Sequence, residues 1–232
     1  MTRTAIIAAM PGELKPFLDA NAKEGWVCER HGNVKLWRLT WPLDQGEWIA
    51  ACAGAGIAAA TRAFAEVEKL GPVDQVISTG WAGALRVELK PGQACRVSGV
   101  IDARTGELFD AAGPQNNCWL VTSSRVVDAK EKQRLASTSP ASLVDMEAAA
   151  IARLAALRGV PFYCVKGISD GYTDQLPDFN RFISPDGRFQ LARFVVFALQ
   201  HPSCWPALIR MGENSKKAAR AIAVNLLDLL DA

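Results

Sequence analysis

Acidic residues stand near the ends of three short apolar runs of this 232-residue sequence. Glu13, Glu147 and Asp170 each lie at or just beyond the end of a run that predicts a buried strand. Ligands of open α/β sheets collect at the carboxyl ends of the strands, so these carboxylates are expected at one site. The sequence offers only two histidines, His31 and His201, for a metal site or a histidine-centred triad. The residue types therefore indicate acid–base chemistry by carboxyl groups.

Each carboxylate also has a purely structural interpretation. Glu13 and Glu147 can be first-turn acids that the helix dipole favours. Asp170, which follows Ser169, can be an N-cap or Asx-turn residue. Composition and periodicity leave both interpretations open.

The elements that must position these residues alternate between strands and helices. The apolar runs predict strands over 4–10, 34–41, 47–53, 73–78, 93–103, 118–127, 143–146 and 161–168. Helical spacing predicts helices over 13–21, 57–70, 147–158, 188–200, 205–211 and 215–230. Glycine and other turn residues predict a glycine loop over 79–84 and turns over 42–46 and 110–117. This alternation is typical of an α/β fold with helical crossovers, and one domain over 1–232 is expected.

Bulk properties exclude several classes of protein. Half of the residues are hydrophobic and 22% are charged, which is globular composition. The net charge is only +2, and the basic stretch 130–134 includes Glu131 and no aromatic residue, so we interpret it as a solvated helix face and expect no nucleic-acid binding. The six cysteines lack metal-ligand spacing, and no apolar run is long enough for a membrane span or a signal peptide. A cytoplasmic protein without a metal site or stable membrane insertion is expected.

Four segments carry a recognisable pattern, in order and at plausible separations. They are Ile6–Leu14 (IIAAMPGEL), Ser78–Leu85 (STGWAGAL), Val144–Ala152 (VDMEAAAIA) and Val165–Gly171 (VKGISDG). With them, about residues 4–175 resemble the purine nucleoside phosphorylase superfamily, most closely its methylthioadenosine/S-adenosylhomocysteine nucleosidase-like branch. The resemblance implies a single three-layer α/β domain in which helices flank a mixed, twisted β-sheet, with a nucleoside site at the strand ends.

The resemblance also implies a role for each acidic residue. Glu13 matches the base that acts on the attacking water, Glu147 matches the residue that binds the ribose hydroxyls, and Met146 packs on the sugar. Asp170 matches the residue that hydrogen-bonds or protonates the purine at N7, and Ser169 can orient it. These roles agree with the chemistry, because cleavage of a ribosyl C–N bond builds positive charge on the sugar and negative charge on the leaving base. An acid at N7 needs a pKa that burial raises.

The glycine segment contributes Thr79, Gly80 and Trp81 to the expected substrate site. Trp81 stands where the family has a serine that contacts the nucleophile or phosphate. An indole offers one donor and no acceptor, so it cannot replace that serine in kind. Packing and substrate contact are both open interpretations of Trp81.

Other expected substrate-binding positions also depart from the family. Lys166 replaces an arginine, which keeps the charge and loses the bidentate fork. Val126 and Val127 lie near the purine-stacking position, where an aromatic residue is common. The arginines that bind phosphate in phosphorylases have no clear match, although Arg62 is nearby.

The glycine-loop tryptophan, the stretch Arg125–Val127, the VDME segment and the tail Phe179–Asn214 look like the phosphorylase-type proteins of bacterial hopanoid synthesis. That subgroup is thought to remove adenine from adenosylhopane. We therefore expect cleavage of the N-glycosidic bond of an adenine nucleoside with a 5′ substituent. The nucleophile would be water or inorganic phosphate, and phosphate would be a co-substrate in the second case.

Two further expectations accompany this hypothesis. No metal or organic cofactor is implied, and the small-molecule nucleoside would be bound by a homo-oligomer. The alternative is a nucleoside-binding module without turnover, which Trp81 and the unmatched phosphate arginines favour. Retention of all three carboxylates favours the enzyme.

Overall fold

The computed structural model describes residues 2–40, 46–113 and 117–230, in which eleven strands form one mixed sheet and six α-helices cover it. The strands are β1 (Arg3–Ala8), β2 (Val27–His31), β3 (Val34–Thr40), β4 (Glu47–Cys52), β5 (Gln75–Ala84), β6 (Ala94–Arg96), β7 (Gly99–Asp102), β8 (Leu108–Asp110), β9 (Trp119–Thr122), β10 (Leu143–Asp145) and β11 (Phe162–Asp170). The helices are α1 (Pro11–Ala20), α2 (Ile57–Glu68), α3 (Ala129–Thr138), α4 (Ala148–Arg158), α5 (Leu191–Gln200) and α6 (Trp205–Leu230). Short 3-10 helices lie at Ala22–Glu24, Phe179–Phe182 and Pro202–Cys204.

Strand β5 is the centre of the sheet. The strand order is β2-β3-β4-β1-β5-β10-β9-β7-β8, and β11 pairs with both β5 and β6. Strands β1 and β11 run parallel to β5, so the carboxyl ends of the three strands point the same way. Strand β10 is antiparallel to β5, with Val144 opposite Gly83, which directs the residues after it back along β5. Residues from four elements thus converge beside the second half of β5.

Alternate residues of β1 face two different helical layers. Ile6 packs in a cluster with Phe17 of α1 and Ile222 of α6, and Ile7 packs in a cluster with Phe64 of α2. All five side chains are at most 1% exposed. A strand covered on both faces needs a continuous apolar run, which is why β1 is readable in the sequence. The predicted α/β fold, a mixed sheet flanked by helices, is confirmed.

The predicted glycine loop over 79–84 is wrong, because these residues complete β5. Their backbone groups find partners on both sides: β11 pairs with β5 as far as Gly83, and Leu143 of β10 lies opposite Ala84. Glycine content alone suggested a loop. A long-range ladder satisfies the same backbone groups within the sheet.

Several other boundaries also differ from the predictions. The single strand predicted over 93–103 is β6 and β7, which pair with different strands, and the strand predicted over 118–127 ends at Thr122. Val126 and Val127 therefore lie in a loop. Strands β2 and β8 and the full helix α3 were not predicted, and the helices predicted over 205–211 and 215–230 are the single α6. Parts of three predictions lie outside the described residues: residue 41 of a predicted strand, and residues 42–45 and 114–116 of the two predicted turns.

Helix α5 and the start of α6 pack loosely on the rest of the described structure. Helix α5 contains no buried residue, and apolar side chains of α5 and the start of α6 are exposed: Leu191, Val195, Val196, Leu199, Trp205 and Ile209. Beneath them, Phe182 contacts Phe194 and Phe197 with ring centroids 5.4 and 5.2 Å apart. No helix within the described ranges is both long enough and apolar enough to cross a membrane.

Candidate active site

A cavity of about 310 Å³ lies where β1, β5, β10 and β11 end or converge. Its volume is at the lower end of the range for small-molecule sites, roughly 300–1,000 Å³. The predicted site residues that line it are Glu13, Trp81, Val126, Val127, Met146, Glu147, Ser169 and Asp170. Thr79, Gly80 and Lys166 lie behind its wall. Lys132, Asp145 and Arg125 also line the cavity and were not predicted as site residues.

Glu13 is fixed by three backbone N–H groups. It stands in the first turn of α1, where its Oε2 accepts hydrogen bonds of 2.8 Å from the amides of Ala9 and Met10. Its Oε1 accepts a 2.9 Å bond from the amide of Trp81 on β5. Burial raises the pKa of Glu13, although the three amides and the charge of Lys166 act in the opposite direction. The helix-start interpretation of Glu13 is therefore correct, and its side chain still reaches the cavity.

Gly80 allows β5 to approach the Glu13 carboxyl group closely. Its φ is +126°, and a Cβ atom there would lie 2.8 Å from Oε1 of Glu13. Such a conformation and such an approach both require glycine. Gly80 therefore shapes the carboxylate site from behind, where Thr79 also lies.

Glu147 lies at the N-terminus of α4. Its Oε1 accepts a 2.6 Å hydrogen bond from the amide of Gly56, and its Oε2 accepts a 3.3 Å bond from the amide of Met146. Burial and then the negative charge of Asp145 raise the pKa of Glu147 to about 8, and Lys166 acts against that rise. Glu147 can therefore exchange a proton near neutral pH. Glu147 is the N-cap residue of α4, which begins at Ala148, so the first-turn interpretation of Glu147 is wrong, and its side chain lies at the cavity wall.

Lys166 holds the layer behind these glutamates. Its Nζ lies 2.9 Å from Oδ2 of Asp145 and donates to the Thr79 carbonyl at 3.2 Å. Asp145 also accepts hydrogen bonds of 2.7 Å from the Thr122 hydroxyl and 2.9 Å from the Ala148 amide. Desolvation lowers the pKa of Lys166, but Asp145 and the other acidic neighbours outweigh it and the pKa is raised overall. Lys166 is thus a buried cation that acts on the glutamates through its field and through Asp145.

The other group of polar residues surrounds Asp170 at the end of β11. The Ser169 hydroxyl donates a 2.6 Å hydrogen bond to Oδ1 of Asp170. The Nζ of Lys132 forms an ion pair with Oδ2 of Asp170 and donates to the Gly171 carbonyl at 2.6 Å. The pairing register of β11 with β5 shifts between Ile168 and Asp170. Neither Asp170 alternative, N-cap nor Asx turn, describes this arrangement.

The interpretation of stretch 130–134 as a solvated helix face is wrong for Lys132, which is 0% exposed. Its helix, α3, turns Lys132 and Leu135 inward and leaves Lys130 and Arg134 in solvent. The i, i+3 spacing of Lys132 and Leu135 was the available signal, since Leu135 marks the apolar face. The partner of the lysine, 38 residues away in the chain, left no such signal.

Trp81 both packs and lines the cavity, so neither of its two interpretations excludes the other. Its Nε1 donates a 3.0 Å hydrogen bond to the Ser215 carbonyl of α6, which leaves the indole without a free donor.

The loop that carries Val126 is held by Asn180, whose Oδ1 accepts from the Val126 amide at 2.9 Å and whose Nδ2 donates to the Val126 carbonyl at 2.9 Å. Val126 and Val127 form part of an apolar wall.

The remaining wall comes from residues 176–211, which follow β11, and is apolar: Leu176, Phe179, Ile183, Phe189 and Met211. Arg62 is turned away, since its Nη2 donates to the Asp186 carbonyl at 2.6 Å. Within ranges 2–40, 46–113 and 117–230, no group of three His, Cys, Asp or Glu side chains could hold a metal ion. The site consists of carboxyl groups, two lysines and an apolar wall.

Comparisons with known proteins agree with this architecture. A family model described as the phosphorylase superfamily matches residues 3–119 and 118–195. No curated protein matches the chain in sequence. The fold is similar to that of 5′-methylthioadenosine/S-adenosylhomocysteine nucleosidase from Helicobacter pylori with butyl-thio-DADMe-Immucillin-A (TM-score 0.74, 19% identity, covering 100% of this chain and 98% of that one).

Two other solved structures are similar in the same way. Futalosine hydrolase of Helicobacter pylori strain 26695 has a TM-score of 0.73 and 17% identity, covering 99% of this chain and 97% of that one. The 5′-methylthioadenosine nucleosidase of Arabidopsis thaliana has a TM-score of 0.71 and 17% identity, covering 100% of this chain and 97% of that one. At these identities the likeness shows the fold.

Proposed function

The chain belongs to the phosphorylase superfamily, and from this membership we propose that it cleaves the N-glycosidic bond of an adenine nucleoside with water as the nucleophile. One observation carries the proposal. Two buried carboxyl groups, Glu13 and Glu147, and the Ser169–Asp170 pair line the same cavity. Cleavage of a ribosyl C–N bond needs polar groups on both sides of the bond, because opposite charges develop on the sugar and the base.

The two glutamates would act at the sugar. Glu13 is held by three amides and would position the water and accept its proton. Glu147 would accept hydrogen bonds from the ribose hydroxyls, with Met146 against the ring. A carboxylate near the anomeric carbon also stabilises the oxocarbenium-like charge of the transition state. Asp170 would act at the base.

The charges around the cavity favour water over phosphate. Two carboxyl groups would face a phosphate dianion at the sugar, and Arg62 is engaged with a backbone carbonyl. One arginine, Arg125, does line the cavity, but it lies on the loop held by Asn180, next to Val126 of the apolar wall and not beside the two glutamates. Hydrolysis needs no cationic pocket, and the similar structures include a nucleosidase and a hydrolase.

The apolar wall supports an apolar 5′ substituent on the nucleoside. Phe179, Ile183, Phe189 and Met211 would contact a thioether or alkyl group, and each buried CH₂ contributes about 0.8 kcal/mol. A similar Helicobacter pylori structure holds 5′-methylthioadenosine in its active site. We further propose a cytoplasmic, single-domain enzyme (residues 1–232) that works as a homo-oligomer without a metal or organic cofactor.

One assay tests the reaction and its nucleophile. The protein is incubated with adenosine, 5′-methylthioadenosine and S-adenosylhomocysteine, with and without inorganic phosphate, and free adenine is measured. We expect adenine release without phosphate and faster release from 5′-methylthioadenosine than from adenosine. Release only with phosphate would replace water as the nucleophile. Tight binding without release from any of the three would favour the nucleoside-binding module.

Two variants test the assigned roles. Glu147→Gln replaces one acceptor oxygen near the ribose hydroxyls by an NH₂ donor and removes the carboxyl group. Asp170→Asn removes the carboxylate at the base, and each variant is expected to lower kcat/KM by roughly 10²–10³-fold. Glu131→Gln is the matched control, because this partly exposed glutamate of α3 lies outside the cavity lining, and it should keep full activity. Full activity in Glu147→Gln or Asp170→Asn would contradict the assignment.

A further inference from the structure

Glu13 and Glu147 lie at one polar end of the cavity, and Asp170 lies at the other. A lysine stands near each end, but the two lysines differ in position. Lys166 is withdrawn behind the wall, whereas Lys132 is part of it and touches Asp170 directly. We propose that Lys132 is a catalytic residue: its ammonium group gives a proton to N7 of the leaving purine, and Asp170 remains a carboxylate throughout. This inference rests on the proposed function and deepens it.

Lys132 has a donor to spare. An ammonium group carries three N–H donors. One meets Oδ2 of Asp170 and a second meets the Gly171 carbonyl. No third partner is found for Nζ within the described ranges, and the side chain borders the cavity. A purine bound there would supply that partner.

Asp170 is poorly suited to be the acid itself. In the ion pair, the Lys132 ammonium group is the donor and the Asp170 carboxyl group is the acceptor. Its oxygens already accept from Ser169 and Lys132, one bond on each oxygen. A carboxylate has about four lone-pair sites, so two acceptor sites remain. Those sites suit a donor on the base.

The pair is therefore complementary to adenine. Adenine presents an N7 acceptor beside a 6-amino donor, whereas a 6-oxopurine presents two acceptors. Lys132 would meet N7 and Asp170 would accept from the 6-amino group. A 6-oxopurine would place its O6 against the carboxylate, so preference for adenosine over inosine should reach at least about 100-fold in kcat/KM.

The proton count closes over one turnover. The C1′–N9 bond breaks and its electron pair passes to the base, while N7 takes a proton from the Lys132 ammonium group. Water forms a bond to C1′ and gives a proton to Glu13, leaving a ribose hydroxyl and neutral adenine. Lys132, now an amine, regains a proton from solvent, and Glu13 returns one.

The test uses two leaving groups. The adenine nucleoside that the protein cleaves is compared with a p-nitrophenyl riboside bearing the same 5′ substituent, since p-nitrophenolate leaves without protonation. Lys132→Met is expected to lower kcat for the nucleoside by about 10²–10⁴-fold and to leave cleavage of the p-nitrophenyl riboside nearly unchanged. Lys130→Met, an exposed lysine of the same helix, is the matched control and should match the wild type on both substrates.

A second variant protects the test against misfolding. Lys132→Met leaves the Asp170 carboxylate buried without its cation, so the double variant Lys132→Met/Asp170→Asn, which buries no charge there, is measured beside it. The same split between substrates is expected. Equal loss on both substrates, or no loss on the nucleoside, would overturn the role of Lys132. A wild-type protein that cleaves neither substrate would instead overturn the proposed function, and this inference with it.

Discussion

Two buried lysine–aspartate pairs stand beside the same stretch of β5, and they differ in how completely they are satisfied. Asp145 accepts from Thr122, from the Ala148 amide and from Lys166, and its side chain is 0% exposed. Asp170 accepts from Ser169 and Lys132 and retains lone pairs toward the cavity. Asp145 also borders the cavity, but three protein donors bind it and its side chain is fully buried, whereas Asp170 has only two donors among the described residues and keeps more acceptor sites for a ligand. Identical residue types thus give a structural pair in one place and a candidate reactive pair in the other.

The same comparison explains why the pKa of Glu13 and of Glu147 is raised. Lys166 acts on Glu13 and Glu147 only through space, because its contacts go to Asp145 and to a carbonyl. Burial therefore prevails, and the pKa of both glutamates is raised. Asp170 has its cation in contact. The end of the cavity with the two glutamates can take up protons, and the donor that we propose, Lys132, lies at the other end.

Removal of each lysine should lower the free energy of unfolding by a different amount. Lys166→Met leaves the fully buried Asp145 without its cation and is expected to lower the free energy of unfolding by about 3–5 kcal/mol. Lys132→Met should cost less, about 1–3 kcal/mol, because Asp170 keeps its hydrogen bond from Ser169 and its side chain is 9% exposed, against 0% for Asp145. Urea denaturation of both variants measures the difference. Equal losses of stability would contradict the view that Asp145 depends more on its lysine than Asp170 does.

Two glycines of β5 give the next test, because Gly80 lies against Glu13 and Gly83 lies against Asp170. Gly80→Ala would place a methyl group 2.8 Å from Oε1 of Glu13 at a φ of +126°, and kcat/KM is expected to fall on the order of 100-fold. Gly83→Ala would approach Oδ2 of Asp170 at 3.0 Å without a strained φ, so a fall of about tenfold is expected. Steady-state kinetics of both variants decide the order. A larger effect at Gly83 would contradict the stated placement of Glu13.

The pH dependence of stability tests the end of the cavity that holds the two glutamates. The pKa of Glu147 is about 8 in the folded chain and near 4.5 in the unfolded chain, so between these values the folded state binds the extra proton. Stability from this group is complete below about pH 4.5 and is lost as the pH rises toward about 8, by at most about 1.4 kcal/mol per pH unit. Glu147→Gln should flatten that slope in urea denaturation at a series of pH values. An unchanged slope in Glu147→Gln would contradict the raised pKa of Glu147.

Local information was enough for much of the fold and part of the site. The apolar runs of β1, β10 and β11 and the alanine-rich helix α4 are visible because strand burial and helix propensity act on neighbouring residues. Strands β6 and β7 were merged, and β2 and β8 were missed, because short edge strands depend on distant partners. The continuation of β5 through residues 79–84 was missed for the same reason.

The sequence by itself determined the α/β class and the strand-end positions of Glu13, Glu147 and Asp170, since each follows from the segment around it. Only the tertiary structure decided which lysine each acid meets. Lys166 faces Asp145 and lies behind the cavity, and Lys132, which looked like a solvated residue, is buried against Asp170. A charge is buried or exposed according to what folds over it, and that partner lies tens of residues away. The chemistry of this site therefore depends on long-range packing.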